Sequence, residues 1–297
     1  MSTQPSLPAP SPTSPIPKSW TINDFDFHEA LGNGKFGYVY HAKEKRTHKE
    51  VAIKLINKNM ITQFEMLPQL KSEIEIHTRL IHPNIIRLYG YFYDAQFVYL
   101  IYEKANSGDL FHLIKSTQFQ ITQSELANII KQLSNALVYI KKRNIIHRDL
   151  KLENVLVNKV ETSQGKYTYT YKLSDFGCAC QFFNNKSLQM CGTPEYIAPE
   201  IVHYQNYDFG VDTWALGVIA YELACGRSPF SNKENKNALE RIRSYSEFKS
   251  ISDPLQRSNS YDEGFIELMR RIFEKDVNKR ISVEDILNSN WIIKYCG

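Results

Sequence analysis

Residues 210–224, Gly-Val-Asp-Thr-Trp-Ala-Leu-Gly-Val-Ile-Ala-Tyr-Glu-Leu-Ala, are apolar almost all the way round a helix. A helix without a broad polar face has to be enclosed, so this segment predicts a central buried helix in a mainly helical layer. It is too short to cross a bilayer, and no other stretch reaches the roughly 18 uncharged apolar residues that crossing needs. The first residues also lack the apolar run of a signal peptide, which points to a soluble, intracellular protein.

Ahead of that helix the periodicity is different. Short apolar runs at Phe25 to Ala30, Tyr38 to His41 and Val51 to Ile56, separated by glycine and by the charged turn Lys43 to Glu50, predict an antiparallel meander. Residues 69–80 place Leu70, Ile74, His77 and Leu80 on one stripe, a helix ended before His82-Pro83. Strands return at Ile85 to Phe92 and Phe97 to Glu103.

After Ser107-Gly108 long helical periods take over. Thr122-Gln-Ser-Glu125 fits a capping box, and Leu126, Ile129, Ile130, Leu133, Leu137 and Ile140 follow at helical spacing. Amphipathic segments near 238–243, 264–273 and 282–292 extend the helical part, and the Tyr/Thr alternation after Gln164-Gly165 predicts a hairpin over 159–171. The expected class is α+β and bilobal: a small antiparallel β lobe with one key helix over 20–105, then a larger helical lobe over 106–297. Six of the twelve prolines fall in residues 1–17, interleaved with serine, so residues 1–19 are expected to be a disordered tail.

A net charge of +4 without long Lys/Arg blocks gives no reason to expect nucleic acid or an anionic membrane as partner. Five cysteines, an odd number with no Cys-x-x-Cys pair, argue against a disulfide framework and a zinc knuckle, and Cys178 and Cys191 are expected to be packing thiols in a reducing compartment.

The chemistry is concentrated in His147-Arg148-Asp149-Leu150-Lys151-Leu152-Glu153-Asn154, followed by Asp175-Phe176-Gly177. This supplies a base, a phosphate-binding lysine and two separated oxygen ligands for a metal, which is what phosphoryl transfer requires of a protein. Asp149 is expected to orient a hydroxyl or take its proton, Lys151 to contact the γ-phosphate, and Asn154 and Asp175 to ligate Mg²⁺. Leu31-Gly32-Asn33-Gly34-Lys35-Phe36-Gly37-Tyr38-Val39 carries G-x-G-x-x-G spacing but continues as strand, unlike a dinucleotide-binding turn, and lacks a P-loop ending. Val51-Ala52-Ile53-Lys54 puts a lysine inside a buried strand, where an ammonium needs anionic partners. ATP phosphates and Glu73, on the helix stripe beside Ile74, are expected to provide them.

These motifs together resemble eukaryotic protein kinases, over about residues 25–293. Cys191-Gly192-Thr193-Pro194-Glu195-Tyr196-Ile197-Ala198-Pro199-Glu200 is similar to the end of a kinase activation segment, and Lys151 two places after Asp149 is the serine/threonine pattern. Gln69 to Ile76, His82 to Phe92 and Met190 to Thr193 are most similar to Aurora kinases, with Polo-like kinases the nearest alternative. The resemblance implies catalysis by Asp149, Lys151, Lys54 and Glu73, with ATP and Mg²⁺ held by Leu31 to Val39, Ala52, Lys54, Glu103, Ala105, Glu153, Asn154 and Asp175. It further implies a Glu200–Arg280 pair, an Asp212 brace for the catalytic loop, and Thr193 near the acceptor. Protein Ser/Thr substrates with basic residues upstream are implied by Asp109, Glu153 and Glu222. A monomer, an activating protein on the small lobe and a spindle or centrosome role in cytoplasm or nucleus complete what the family suggests. The alternative is a pseudokinase that binds nucleotide or scaffolds without transfer.

Two positions depart from the Aurora pattern. Gln189 stands where that family carries its activating threonine, and a neutral amide cannot supply the roughly −1.5 to −2 charge of a phosphate. Either Ser187 substitutes or the segment orders without phosphate. Tyr102, a bulky residue immediately before the hinge Glu103-Lys104-Ala105, is expected to close the pocket behind the hinge to inhibitors.

Overall fold

A computed structural model of the chain describes residues 20–34, 37–117, 121–162, 165–182, 190–231, 237–257 and 261–297. The expectations for the 1–19 tail, Lys35, Phe36, Ser187 and Gln189 lie outside the described residues. The chain divides into two compact units, one ending at Asn106 and one beginning at Ser107.

The first unit is built on β1 (Phe25–Gly34), β2 (Gly37–Glu44), β3 (Glu50–Asn57), α1 (Lys58–Gln63), α2 (Leu67–His77), β4 (Leu88–Tyr93) and β5 (Phe97–Glu103). The five strands form one antiparallel sheet in the order β1-β2-β3-β5-β4. Alternation along β3 sends Val51 and Ile53 into a core with Phe25, Ala42, Phe92, Tyr99 and Ile101. It turns Ala52 and Lys54 to the opposite face, in register with Tyr102 and Leu100 of β5. The break between β1 and β2 falls within the glycine stretch, but the strands extend further into it than the apolar segments suggest. β1 runs through Gly34, which pairs with Gly37. A Cβ at Gly37 would lie 1.7 Å from the Leu55 carbonyl oxygen, so this glycine is needed for β2 to approach β3.

All four stripe residues of the predicted helix, Leu70, Ile74, His77 and Leu80, are buried, although α2 starts and stops earlier than the periodicity implies. Helix α1, which the sequence reading did not identify, starts where Asn57 accepts a hydrogen bond from the Asn59 N–H at 2.8 Å.

The second unit contains α3 (Leu110–Thr117), α4 (Gln123–Lys141), β6 (Ile145–Ile146), β7 (Val155–Glu161), β8 (Tyr167–Leu173), β9 (Cys180–Gln181), α5 (Pro199–Val202) and α6 (Gly210–Cys225). It ends with α7 (Ala238–Arg243), α8 (Lys249–Arg257), α9 (Glu263–Ile272), α10 (Val283–Leu287) and α11 (Asn290–Cys296). Helix α6 is buried along nearly its whole length, as its composition demands, with Trp214 packed among Phe230, Tyr245 and Phe273. Thr122 caps α4 by accepting from the Glu125 N–H at 3.1 Å. The expected reciprocal bond is replaced, because the Glu125 carboxylate takes the Tyr171 hydroxyl from β8. The predicted 282–292 helix is two helices, since Ser289 caps α11 after α10 has ended at Leu287.

A buried ion pair ties this unit together. Arg280 donates to Glu200 through Nη1 at 2.6 Å and Nη2 at 3.0 Å, and to the carbonyls of Gly210 at 3.0 Å and Glu274 at 2.9 Å. Both side chains are almost fully enclosed, so removing one leaves an uncompensated buried charge. Arg280→Met is expected to lower the unfolding free energy by about 3–5 kcal/mol in a denaturant titration. Wild-type stability of that variant would contradict the pairing.

Candidate active site

In the first unit one face of the sheet presents Val39, Ala52 and Lys54, with Val39 directly opposite Lys54. Lys54 Nζ lies 3.4 Å from Glu73 Oε1, so strand β3 and helix α2 bring together the pair read from the sequence. Glu73 is 5 % exposed, and its Oε1 also accepts the Tyr102 hydroxyl at 2.9 Å. Sequence reasoning treated Tyr102 only as a bulky wall; its bond to Glu73 has no local sequence signal. Leu31 and Tyr38 are exposed on the hairpin and Gly32 has open space above it. Glu103 and Ala105 are half-buried at the end of β5, with the Glu103 N–H donating to the Arg87 carbonyl at 2.8 Å.

In the second unit the catalytic string is organised by hydrogen bonds to backbone. Asp212, 4 % exposed on α6, accepts the N–H groups of His147 at 2.8 Å and Arg148 at 2.9 Å. Burial, the largest influence, pushes its carboxyl above the ordinary carboxylate range against the opposing pull of His147 and Arg148. His147 is fully buried, its Nδ1 accepts the Asp149 N–H at 3.3 Å, and its Nε2 donates to the Ser174 carbonyl at 3.0 Å. Those two bonds fix the tautomer and hold the loop against the residue before Asp175. The ring also meets Phe176 edge-on at 4.8 Å, consistent with the packing expected of both.

Asp149, Lys151, Asn154 and Thr193 converge. Thr193 Oγ1 donates to Asp149 Oδ1 at 2.9 Å and accepts from Lys151 Nζ at 3.0 Å. Asn154 Nδ2 donates to the Asp149 carbonyl at 2.8 Å and to its Oδ2 at 3.1 Å. The Asn154 carbonyl in turn accepts the Ser174 N–H at 2.9 Å and its hydroxyl at 3.0 Å, which draws the Asp175 segment to Asn154. Asp175 adopts a left-handed conformation, φ 56°, and accepts from the Gly177 N–H at 3.2 Å. Thr193 reaches Asp149 because Gly192, at φ 111°, lets the chain pass so near that a Cβ would stand 2.5 Å from the Arg148 carbonyl oxygen.

The cysteine expectation is corrected. Cys178 and Cys191 are joined by a disulfide across 13 positions, with their Cα atoms 6.1 Å apart. An odd total excludes a complete framework but not one pair, and the fold returns Cys191 to the residue that follows Asp175-Phe176-Gly177. Cys180, Cys225 and Cys296 are free thiols, and burial pushes Cys225 up to about 11. Arg148, at φ 67°, donates through Nε to the Cys178 carbonyl at 2.6 Å and through Nη1 to the Tyr207 hydroxyl at 3.2 Å.

The three carboxylates expected to recognise arginine differ in their commitments. Asp109 caps the start of α3, accepting the His112 N–H at 2.8 Å. Glu222 accepts the Tyr196 hydroxyl, and burial raises its carboxyl above the ordinary range, with Glu153 and Glu195 adding to the rise. Glu153 is exposed in the turn Leu152–Asn154.

Among the described residues no helix is long and apolar enough to cross a membrane. The protein kinase domain family matches residues 25–292. The serine/threonine-protein kinase Aurora-1 of Arabidopsis thaliana is 36% identical over 277 residues, covering 93% of this chain and 89% of its own length. Aurora-2 of the same plant is 37% identical with 93% of each chain covered, and Aurora kinase A-A of Xenopus laevis is 37% identical over 95% of this chain and 67% of its own.

The Cys178–Cys191 bridge closes a loop whose restriction in the unfolded chain is worth about 3 kcal/mol. Reduction with dithiothreitol is therefore expected to lower stability by about that amount in urea titrations, and to expose two further alkylatable thiols by mass spectrometry. An unchanged titration and thiol count would contradict the bridge.

Proposed function

The chain belongs to the protein kinase family and, within it, to the Aurora serine/threonine kinases, and from that premise we propose that Asp149, Lys151, Lys54 and Glu73 carry its phosphoryl transfer. The reaction moves the γ-phosphoryl group of ATP to Ser and Thr hydroxyls of proteins, with Mg²⁺ as the metal. When bound, Mg·ATP supplies the phosphoryl group and the cation that offsets charge on its oxygens.

The observation that carries the assignment is the Thr193 hydroxyl seated between Asp149 and Lys151. A carboxylate and an ammonium that already hold one aliphatic hydroxyl are chemically suited to a substrate serine or threonine. Asp149 then orients that hydroxyl and takes its proton at Oδ1, while Lys151 stabilises negative charge on the attacking oxygen. The donor chemistry also suits Mg²⁺. Asn154 directs its Nδ2 at Asp149, which turns its Oδ1 the other way as a hard oxygen donor, and Asp175 adds a carboxylate. Lys54, steadied by Glu73, provides the cation for the α- and β-phosphates, with residues 31–39, Ala52, Glu103, Ala105 and Glu153 as the other nucleotide contacts.

A substrate with Arg or Lys two to three residues before the acceptor fits Glu222 with Glu153 and Glu195 nearby, since a cation would offset the repulsion these two carboxylates exert on Glu222. Asp109 contributes less, being engaged with His112. We place the protein, on its family, among cell-division regulators in the cytoplasm or nucleus, working as a monomer with an activating protein on the β-sheet unit.

The test compares wild type and Asp149→Asn with labelled ATP, Mg²⁺ and Ser/Thr peptides. Phosphate incorporation is expected to fall at least about 100-fold in the variant, and wild type is expected to favour peptides with upstream arginine over neutral ones. Equal incorporation by both proteins would overturn the Asp149 assignment.

A further inference from the structure

Glu73 is bonded by two donors that differ in kind. Its Oε1 takes the Lys54 ammonium at 3.4 Å and the Tyr102 hydroxyl at 2.9 Å, so the neutral donor holds the oxygen at the shorter distance. Tyr102 is 9 % exposed and fixed on three sides. It pairs with Ala52 on β3 and Leu88 on β4, and its ring lies 5.4 Å from that of His77, one helical turn beyond Glu73 on α2. His77 is itself anchored, its Nε2 donating to the Ile86 carbonyl at 2.7 Å. The hydroxyl therefore projects from a rigid central strand to a buried carboxylate on the helix.

We infer that Tyr102 is a positioning residue for phosphoryl transfer: its hydroxyl aims the Glu73 carboxylate at Lys54 and so holds α2 in register with β3. The inference rests on the roles proposed above for Lys54 and Glu73. An ammonium on a four-carbon stem is a mobile partner, and at 3.4 Å it does not fix the carboxylate alone. A phenol on a paired strand has few rotatable bonds and sets a direction. In an enclosed setting such a charge-assisted bond is strengthened, and it constrains Lys54 through the oxygen they share. Small misplacements of a phosphate-binding group cost rate steeply. The hydroxyl thus steadies the lysine–carboxylate pair from within the β-sheet unit, without a phosphate or a bound protein.

Tyr102→Phe removes the hydroxyl and keeps the ring that packs on His77. The experiment measures kcat/KM for ATP, and the Kd for Mg·ATP with a fluorescent nucleotide, in Tyr102→Phe, Glu73→Ala, the double variant and Lys54→Met. Tyr102→Phe is expected to lower kcat/KM about tenfold in a folded protein whose melting temperature falls by only a few degrees. In the Glu73→Ala background the same substitution is expected to leave Kd unchanged, because the hydroxyl then has no carboxylate to direct. Wild-type kinetics for Tyr102→Phe, or an equal loss of affinity in both backgrounds, would overturn the inference. Wild-type kcat/KM in Lys54→Met would instead overturn the roles of the pair beneath it.

Discussion

One buried carboxylate organises the catalytic segment. Asp212 accepts two successive main-chain N–H groups, at 147 and 148, one on each carboxylate oxygen. With those amides pinned, Arg148 is held in a left-handed conformation that a non-glycine residue adopts only when its surroundings impose it. Its carbonyl then forms the surface against which Gly192 packs, and its guanidinium is directed to Cys178 and Tyr207. Asp149, next along, is left facing Thr193. The carboxylate stays in place because it rides on α6, the helix whose lack of a polar face forces it into the core.

The same arrangement reaches the residues around the disulfide. Arg148 donates from this position to the Cys178 carbonyl and the Tyr207 hydroxyl. The Cys178–Cys191 bond fastens the two ends of the segment on either side of the residues that include Gln189. In the β-sheet unit the Tyr102 hydroxyl has a parallel effect on Glu73.

Much of this was legible in the sequence because it depends on spacing and burial. The stripe of α2, the enclosed α6, the Tyr/Thr hairpin and the Lys54–Glu73 pair each follow from period or from the cost of burying charge. What escaped depends on contacts between residues far apart. Glu125 was read as half of a local capping box, yet Tyr171, 46 residues on, takes its carboxylate. Cysteine parity could not reveal that two of five thiols meet, and a tyrosine's bulk is visible in a sequence where the direction of its hydroxyl is not. Glycine spacing marks the β1–β2 turn in the sequence but does not show that Gly37 itself belongs to β2, where its close approach to Leu55 leaves no room for a side chain.

The most direct measurement is the steady-state kinetics of Asp212→Asn with protein and peptide acceptors, alongside its circular dichroism. The substitution preserves shape but turns an NH₂ donor toward one of the two loop amides, so a single N–H loses its acceptor. The account predicts a kcat reduced at least about tenfold, in a folded protein whose KM for ATP is nearly unchanged, because a loss confined to the transition state lowers kcat alone. A folded Asp212→Asn variant with wild-type kcat would contradict it.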